Sequence, residues 1–150
     1  MHSSLMMACA HATGGQTCKE QSFEIAVRTF KILVSKGGGS GRQVEELLRQ
    51  KPVYELYPTS STFANFFRAC RKLLPPDSER RRSILAKSLT ICRKLGMLNF
   101  FVVHQVQLSC QSKMAWKEMA GELSEYVGWQ DDFKRCSKTV PREWTCKSRK

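Results

Sequence analysis

The sequence lacks any hydrophobic run long enough to cross a membrane. Hydrophobic residues make up 41% of its 150 residues, yet no stretch reaches the roughly 18 consecutive apolar residues that a spanning helix needs. The first residues, Met1 to Gly15, also lack the basic residues that precede the apolar part of a secretory signal. We therefore expect a soluble protein of the cytoplasm or nucleus, with no membrane partner.

Histidine is scarce, and the cysteines form no recognised metal motif. The chain has three histidines and seven cysteines. An odd cysteine count without a secretion signal favours reduced thiols over a disulfide framework. Cys9, His11 and Cys18, with His2 as a conceivable fourth ligand, lack the close cysteine pair of a structural zinc site. We predict neither a metal nor a cofactor.

No residues have the spacing of a nucleophile and its general base. His104 is the only histidine beyond the first eleven residues, and it lies in an apolar run where a buried, hydrogen-bonded imidazole is the commoner role. On a helix, Cys110 would point to a different face from His104. The glycine-rich run at 37–41 lacks the lysine of a phosphate loop and is interpreted as a linker. We therefore predict no catalytic residues and no enzymatic activity.

The clearest secondary structure is a helical hairpin over residues 61–98. Apolar residues recur there with the spacing of one helical face, in two runs. The Pro75–Pro76 pair cannot continue the first helix, and Asp77 or Ser78 can cap the second. Gly96 can end the second helix, because glycine readily adopts the left-handed backbone conformation found at helix ends.

Further helices are predicted on both sides of this hairpin. One begins at Thr17, which has the spacing of a capping box, and a short one covers residues 42–50. Residues 100–110 are interpreted as a helix capped by Asn99, although their β-branched residues leave a strand open. A last amphipathic helix runs through Trp116–Val127.

These helices predict an all-α fold of about five or six helices, stacked as hairpins in a solenoid-like arrangement. The helical domain covers residues 17–128. We expect residues 1–16 to form a disordered leader, because they are small and polar and end in glycine. Residues 129–150 are predicted to be a basic, partly ordered tail.

Ser61–Leu73, with the sequence STFANFFRACRKL, resembles the first helix of a pentatricopeptide unit. The hairpin that it begins is similar to those of pentatricopeptide and tetratricopeptide proteins. This resemblance covers one hairpin, because no repeat of about 34 or 35 residues runs along the chain. It implies a solenoid-like fold of the kind that binds RNA or protein segments.

Positive charge is concentrated in the hairpin and in the tail. The net charge is +12, and residues 68–100 hold nine basic residues against two acidic ones. Seven bases lie opposite the apolar sides of the two hairpin helices, and Arg80 and Arg81 join them at the start of the second helix. Together they are the predicted phosphate-binding residues: Arg68, Arg71, Lys72, Arg80, Arg81, Arg82, Lys87, Arg93 and Lys94. Three of them, at 80–82, begin a helix, where the helix dipole disfavours cations and an anionic partner would be favourable.

These observations predict a non-enzymatic module that binds RNA or a ribonucleoprotein through the basic hairpin. The alternative is a protein-interaction adaptor of a larger helical-repeat assembly, basic on its outside and without nucleic-acid contact. No exposed aromatic residues for base stacking are evident among these bases, so sequence-specific readout is not predicted. The segment Arg80–Ser83 also resembles the Arg-Arg-x-Ser target of basophilic kinases, which makes Ser83 a candidate phosphorylation site.

Overall fold

The computed structural model describes residues 2–38 and 58–145, in which every regular element is an α-helix. In chain order the helices are α1 (His2–Ala10), α2 (Gln16–Gly38), α3 (Ser60–Leu73), α4 (Glu79–Lys94), α5 (Phe100–Ser109), α6 (Lys113–Ala120), α7 (Leu123–Tyr126), α8 (Phe133–Cys136) and α9 (Arg142–Thr145). The all-α prediction is confirmed. The predicted helix at 42–50 lies outside the described residues. None of the described helices is both long enough and apolar enough to cross a membrane.

Side-chain caps fix the starts of the four helices α3 to α6. Each cap accepts a hydrogen bond from the backbone N–H three residues later, and the caps are Thr59, Ser78, Asn99 and Ser112. At α4 the cap is therefore Ser78 rather than Asp77. The Asn99 cap and the helix that follows it exclude the strand alternative for residues 100–109. After α4, Gly96 has a φ of 66°, as predicted for a left-handed helix end.

Helix α3 is the centre of the hydrophobic core, since it packs against α1, α2, α4 and α5. Its predicted apolar face is buried. Phe30 of α2 stacks on Phe66 with the ring centroids 3.9 Å apart, and its ring meets that of Phe63 edge-on at 5.3 Å. Aromatic pairs in these arrangements add to the stabilisation from buried apolar area. The solenoid-like stacking of hairpins stays a prediction.

Residues 2–10 form a helix, where the sequence predicted a disordered leader over 1–16. Met6, Cys9 and Ala10 are buried, with the i, i+3, i+4 spacing of one helical face, and α1 packs against α3 and α2. A stripe this short does not stabilise an isolated helix in water. The packing against α3 and α2 supplies the stabilisation that the composition of the segment alone does not.

The last predicted helix is divided in two at Gly121. Helix α6 ends at Ala120, and Gly121 has φ 55° and ψ −128°, a conformation that glycine adopts without a steric penalty. The chain then turns back on itself, so that Trp116 Nε1 donates a hydrogen bond of 2.8 Å to the Val127 carbonyl oxygen. Trp116, Leu123 and Val127 are all buried around this bond.

The predicted tail packs on the helical domain as far as the structure describes it. Phe133 and Val140 are buried. The Leu98 N–H donates a 2.8 Å hydrogen bond to the Trp144 carbonyl oxygen, and α9 packs against α4. Residues 146–150 lie outside the described part of the chain.

Cys70, Cys92 and Cys110 are buried free thiols of the core, as their apolar neighbours predicted. Burial raises the pKa of Cys70 to about 12 and that of Cys110 to about 11, and it raises the pKa of Cys92 well above the ordinary range. Cys18 and Cys136 are only half-buried.

We expect iodoacetamide at neutral pH to modify Cys18 and Cys136 of the folded protein much faster than Cys70 and Cys92. The thiolate is the nucleophile, and burial keeps the core thiols protonated as well as covered. Mass spectrometry of peptides after a short exposure measures this difference, and the chain unfolded in guanidinium chloride is the control in which the rates should converge. Labelling of Cys70 at the same rate in both states would contradict the buried position.

The unfolding free energy should fall as the pH rises from about 9 to 11. Thiols of the unfolded chain ionise near their ordinary pKa of 9.0, whereas the buried Cys70 stays protonated to about pH 12. The unfolded state then binds fewer protons, so each such thiol lowers stability by about 1.4 kcal/mol per pH unit in this range. Urea unfolding at several pH values measures the slope. The variant Cys70→Ala should have a shallower slope, and an unchanged slope would contradict the prediction.

Candidate phosphate-binding surface

The nine predicted phosphate-binding residues fall into two groups. Five are exposed, namely Lys72, Arg80, Arg82, Lys87 and Lys94. The other four are half-buried or buried, namely Arg68, Arg71, Arg81 and Arg93. The exposed basic surface is therefore smaller than the charge count predicted.

Arg80, Lys87 and Lys94 form a row along the exposed side of α4, which we call the basic row. They are spaced by seven residues, or about two turns, so their Cα atoms follow one another at roughly 10 Å intervals over a length of about 21 Å. Leu85 and Cys92 lie on the opposite, buried side of the same helix. Among the described residues, Lys87 and Lys94 form no ion pair.

Arg80 makes two contacts within the protein. Its Nη2 lies 3.0 Å from Glu24 Oε1 of α2, and its guanidinium carbon lies 5.0 Å from the centroid of the Phe23 ring. Both side chains of the ion pair are 59% exposed, and exposed pairs of this kind contribute little to stability. Separating the two side chains therefore costs little free energy.

Arg81 is buried, which corrects its prediction as a phosphate-binding residue. Only 4% of the residue is exposed. Its Nη1 donates to the Leu74 carbonyl oxygen at 3.5 Å, and its Nη2 donates to that of Ser109 at 3.3 Å. The reason is helical periodicity: Arg81 precedes the buried Leu85 by four residues and therefore shares the inner face of α4.

Arg68, Arg71 and Arg81 form an arginine cluster with few acceptors. The Nη1 atom of Arg68 lies 3.6 Å from Met7 Sδ, and Arg71 Nη2 donates to Gln105 Oε1 at 3.4 Å. The Nε atoms of all three arginines are buried without a hydrogen-bond partner. The pKa of Arg71 is lowered mainly by burial and, to a smaller extent, by the positive charge of Arg68. The pKa of Arg81 is lowered in the same way by burial and by the positive charge of Arg71. These cations join α1, α3, α4 and α5, and only part of the Arg68 and Arg71 side chains faces solvent.

Arg93 is also engaged inside the protein. Its Nη1 lies 3.4 Å from Glu122 Oε2, and its guanidinium carbon lies 4.6 Å from the centroid of the Trp144 ring. The Trp144 ring in turn meets Tyr126 edge-on at 5.6 Å. Arg93 therefore connects the end of α4 to α7 and α9.

Arg82 and Ser83 line a surface cavity of about 310 Å³ between α4 and α6. Glu79 and Glu118 belong to the same lining, and their carboxylates make it unfavourable for a phosphate. Ser83 is exposed, but the buried Arg81 is part of its kinase motif. A kinase would have to unwind the first turn of α4 to read that motif, so phosphorylation of Ser83 stays a prediction.

Lys72 lines a second basic area that the sequence did not indicate. A cavity of about 480 Å³ lies between the turn after α1 and the end of α3, and Lys19 and His11 contribute to it as well. Lys72 is distant in sequence from the other two residues, and the packing of α1 and α2 on α3 brings it beside them. No group of three or more metal-ligating side chains is found within residues 2–38 and 58–145.

His104 is exposed, where the sequence favoured a buried imidazole. Helix α5 buries Val102, Val103 and Val106 instead. The His104 ring stacks on that of Phe100, with centroids 5.6 Å apart and planes at 11°.

We expect Arg81→Ala to lower the unfolding free energy by about 2–3 kcal/mol, because two carbonyl groups lose their donor and a cavity opens. The matched control Arg82→Ala removes the same charge from an exposed position and should change it by less than about 0.5 kcal/mol. Urea unfolding measures both. Arg81→Met should cost less than Arg81→Ala, since it fills the space without an unpaired charge. Equal effects of the alanine variants would contradict the buried role.

Comparison of the chain with models of protein families, with curated proteins and with solved structures finds no match in any of the three. The similarity of Ser61–Leu73 to a pentatricopeptide helix therefore rests on that segment alone.

Proposed function

We propose that this protein binds the phosphate backbone of RNA, or of a ribonucleoprotein, through the basic row of α4. The observation that supports this most is the row itself, with Arg80, Lys87 and Lys94 exposed on one side of a helix. A net charge of +12 adds a long-range attraction for any polyanion. The protein acts in this proposal as a binding module and not as an enzyme.

A straight row of cations suits a backbone more than a single phosphate group. Its length of about 21 Å spans several nucleotides of an extended strand. Binding of this kind gains free energy from the release of counterions and carries no base sequence information. Helix α4 is capped at Ser78 and its inner face is buried, so the spacing of the row is fixed before binding.

Exposed apolar side chains favour the adaptor as a second candidate function. Ile25 is 47% exposed on α2, and Phe101 and Met114 are 65% and 67% exposed on α5 and α6. Exposed hydrophobic side chains are available to a protein partner. In this alternative the basic row serves solubility, and a protein partner covers the apolar residues.

The test compares two triple variants that remove the same charge. Arg80→Gln, Lys87→Gln and Lys94→Gln together remove the basic row, whereas Lys113→Gln, Lys117→Gln and Lys138→Gln remove three exposed lysines elsewhere. Fluorescence anisotropy with a labelled single-stranded RNA measures affinity over a range of salt concentrations. Circular dichroism checks that both variants remain helical.

We expect the row variant to lose about two units from the slope of log affinity against log salt, because each phosphate contact contributes roughly 0.7 to that slope. The control variant should keep nearly the whole slope. Equal losses in both variants would show that only net charge matters, and an absence of binding at low salt would overturn the proposal. Arg81 is left unchanged because its substitution tests folding instead.

A further inference from the structure

A cavity of about 470 Å³ lies between α5 and the turn that precedes α8. Its volume falls within the range of small-ligand sites. The lining residues that matter chemically are Phe100, His104, Gln107, Trp129, Asp131 and Asp132. They combine aromatic rings with carboxylates, and the cavity lies apart from the basic row.

Three aromatic rings line the cavity. Phe100 and His104 are stacked one helical turn apart on α5, and Trp129 comes from the turn. A cation already rests against one of these rings, because Lys134 Nζ lies 5.1 Å from the centroid of Phe100. Aromatic faces attract cations, and planar cations also stack on them.

Two neighbouring carboxylates line the cavity as well. Asp131 Oδ2 accepts a 2.9 Å hydrogen bond from the Gly128 N–H, and Asp132 Oδ1 accepts one of 2.9 Å from the Lys134 N–H. Within the described ranges neither carboxylate forms an ion pair. Two negative charges therefore stand side by side, each with an oxygen left to accept further hydrogen bonds.

The turn that carries these carboxylates is held rigidly against α5. Gln107 Nε2 donates to the carbonyl oxygens of both Gly128 and Asp131, at 3.2 Å each. A Cβ atom on Gly128 would lie 2.5 Å from Asp131 Oδ2, so any other residue there would displace the Asp131 carboxylate. Gln130 has a φ of 70°, which is strained for a residue other than glycine. The carboxylates are thus fixed relative to the rings of α5 before any ligand arrives.

We propose that this cavity binds a guanidinium group, either of a free guanidino compound or of an arginine side chain on a partner. A guanidinium is planar and stacks on aromatic rings, it is always positively charged, and its N–H donors pair with carboxylates in a fork geometry. Phosphate or carboxylate ligands would be repelled by Asp131 and Asp132. A neutral planar ligand would stack on the rings but would form no ion pair with either carboxylate.

The test titrates the full-length protein with agmatine and follows amide and indole signals by NMR. Two control compounds separate the chemistry, and both keep the butyl chain and the ammonium group of agmatine. In N-(4-aminobutyl)urea a planar neutral group replaces the guanidinium, and in putrescine a charged group that is not planar replaces it. We expect saturable shifts at Trp129, Asp131 and His104 with agmatine and about tenfold weaker binding of both control compounds. Binding of either control compound as tight as that of agmatine would overturn the proposal.

Matched variants locate the binding. Asp131→Asn with Asp132→Asn should weaken agmatine about tenfold, whereas Glu118→Gln with Glu125→Gln removes two exposed carboxylates elsewhere and should have no effect. His104→Ala keeps the turn and both charges and should also weaken binding, which guards against a turn that fails to form in the first variant. Unchanged affinity in both cavity variants would overturn the proposal.

A third comparison separates the two sources of the guanidinium. The capped peptide Gly-Arg-Gly presents an arginine side chain between two peptide groups, whereas agmatine is a free guanidino compound. Saturable shifts with the peptide assign the site to a partner's arginine, and shifts with agmatine alone assign it to a small molecule. No saturable shift with either probe would overturn the proposal. The basic row is untouched by these variants, so this result is independent of RNA binding.

Discussion

The stacking of Phe30 on Phe66 is the contact on which the rest of the structure depends. It joins α2 to α3, and α3 in turn supports α1, α4 and α5. Phe63 and Phe67 extend the same aromatic cluster along α3, with Phe67 6.3 Å from both Phe63 and Phe66. Because protein interiors are packed as closely as organic crystals, these rings fix the axial position and rotation of α3. The position of α3 in turn sets the directions in which the charged residues of the neighbouring helices point.

The rotation of the helices sorts the basic residues into structural and exposed ones. In α4 the inner face takes Arg81 into the arginine cluster, while the outer face keeps Lys87 and Lys94 in solvent. A guanidinium can be held inside because its long stem is apolar and its five donors reach backbone carbonyls. The net charge of the chain is therefore larger than the positive charge that is exposed on its surface. What matters is the charge that remains on one side of a helix after packing.

The helices were predictable where local signals agree, and the failures have physical causes. Prolines, caps and apolar spacing fixed α3 and α4, and the Asn99 cap favoured a helix for α5. The break at Gly121 was missed because the apolar spacing continues through it from Trp116 to Val127. Helix α1 was missed because its stability comes from α3 and not from its own composition.

Only part of the two candidate sites could be predicted from the sequence. Lys87 and Lys94 lie on the outer side of α4 as the helical spacing predicts. Arg81 was predicted from the charge at the helix start, but it lies four residues before the buried Leu85 and shares its inner face. The cavity beside α5 could not be predicted from the sequence, since Phe100 and Asp131 are far apart in sequence and tertiary contacts such as the hydrogen bonds of Gln107 bring their segments together. Tertiary contacts of this kind leave no local pattern.

The hydrogen bond from the Leu98 N–H to the Trp144 carbonyl oxygen has a consequence for the order of folding. It closes a long loop that includes α5 to α8, and long loops close late because their ends must first lose conformational freedom. On the ribosome, Leu98 emerges well before Trp144. The end of α4 therefore remains uncovered, and Arg93 stays apart from Trp144, until α9 and the helices before it have been synthesised and have docked.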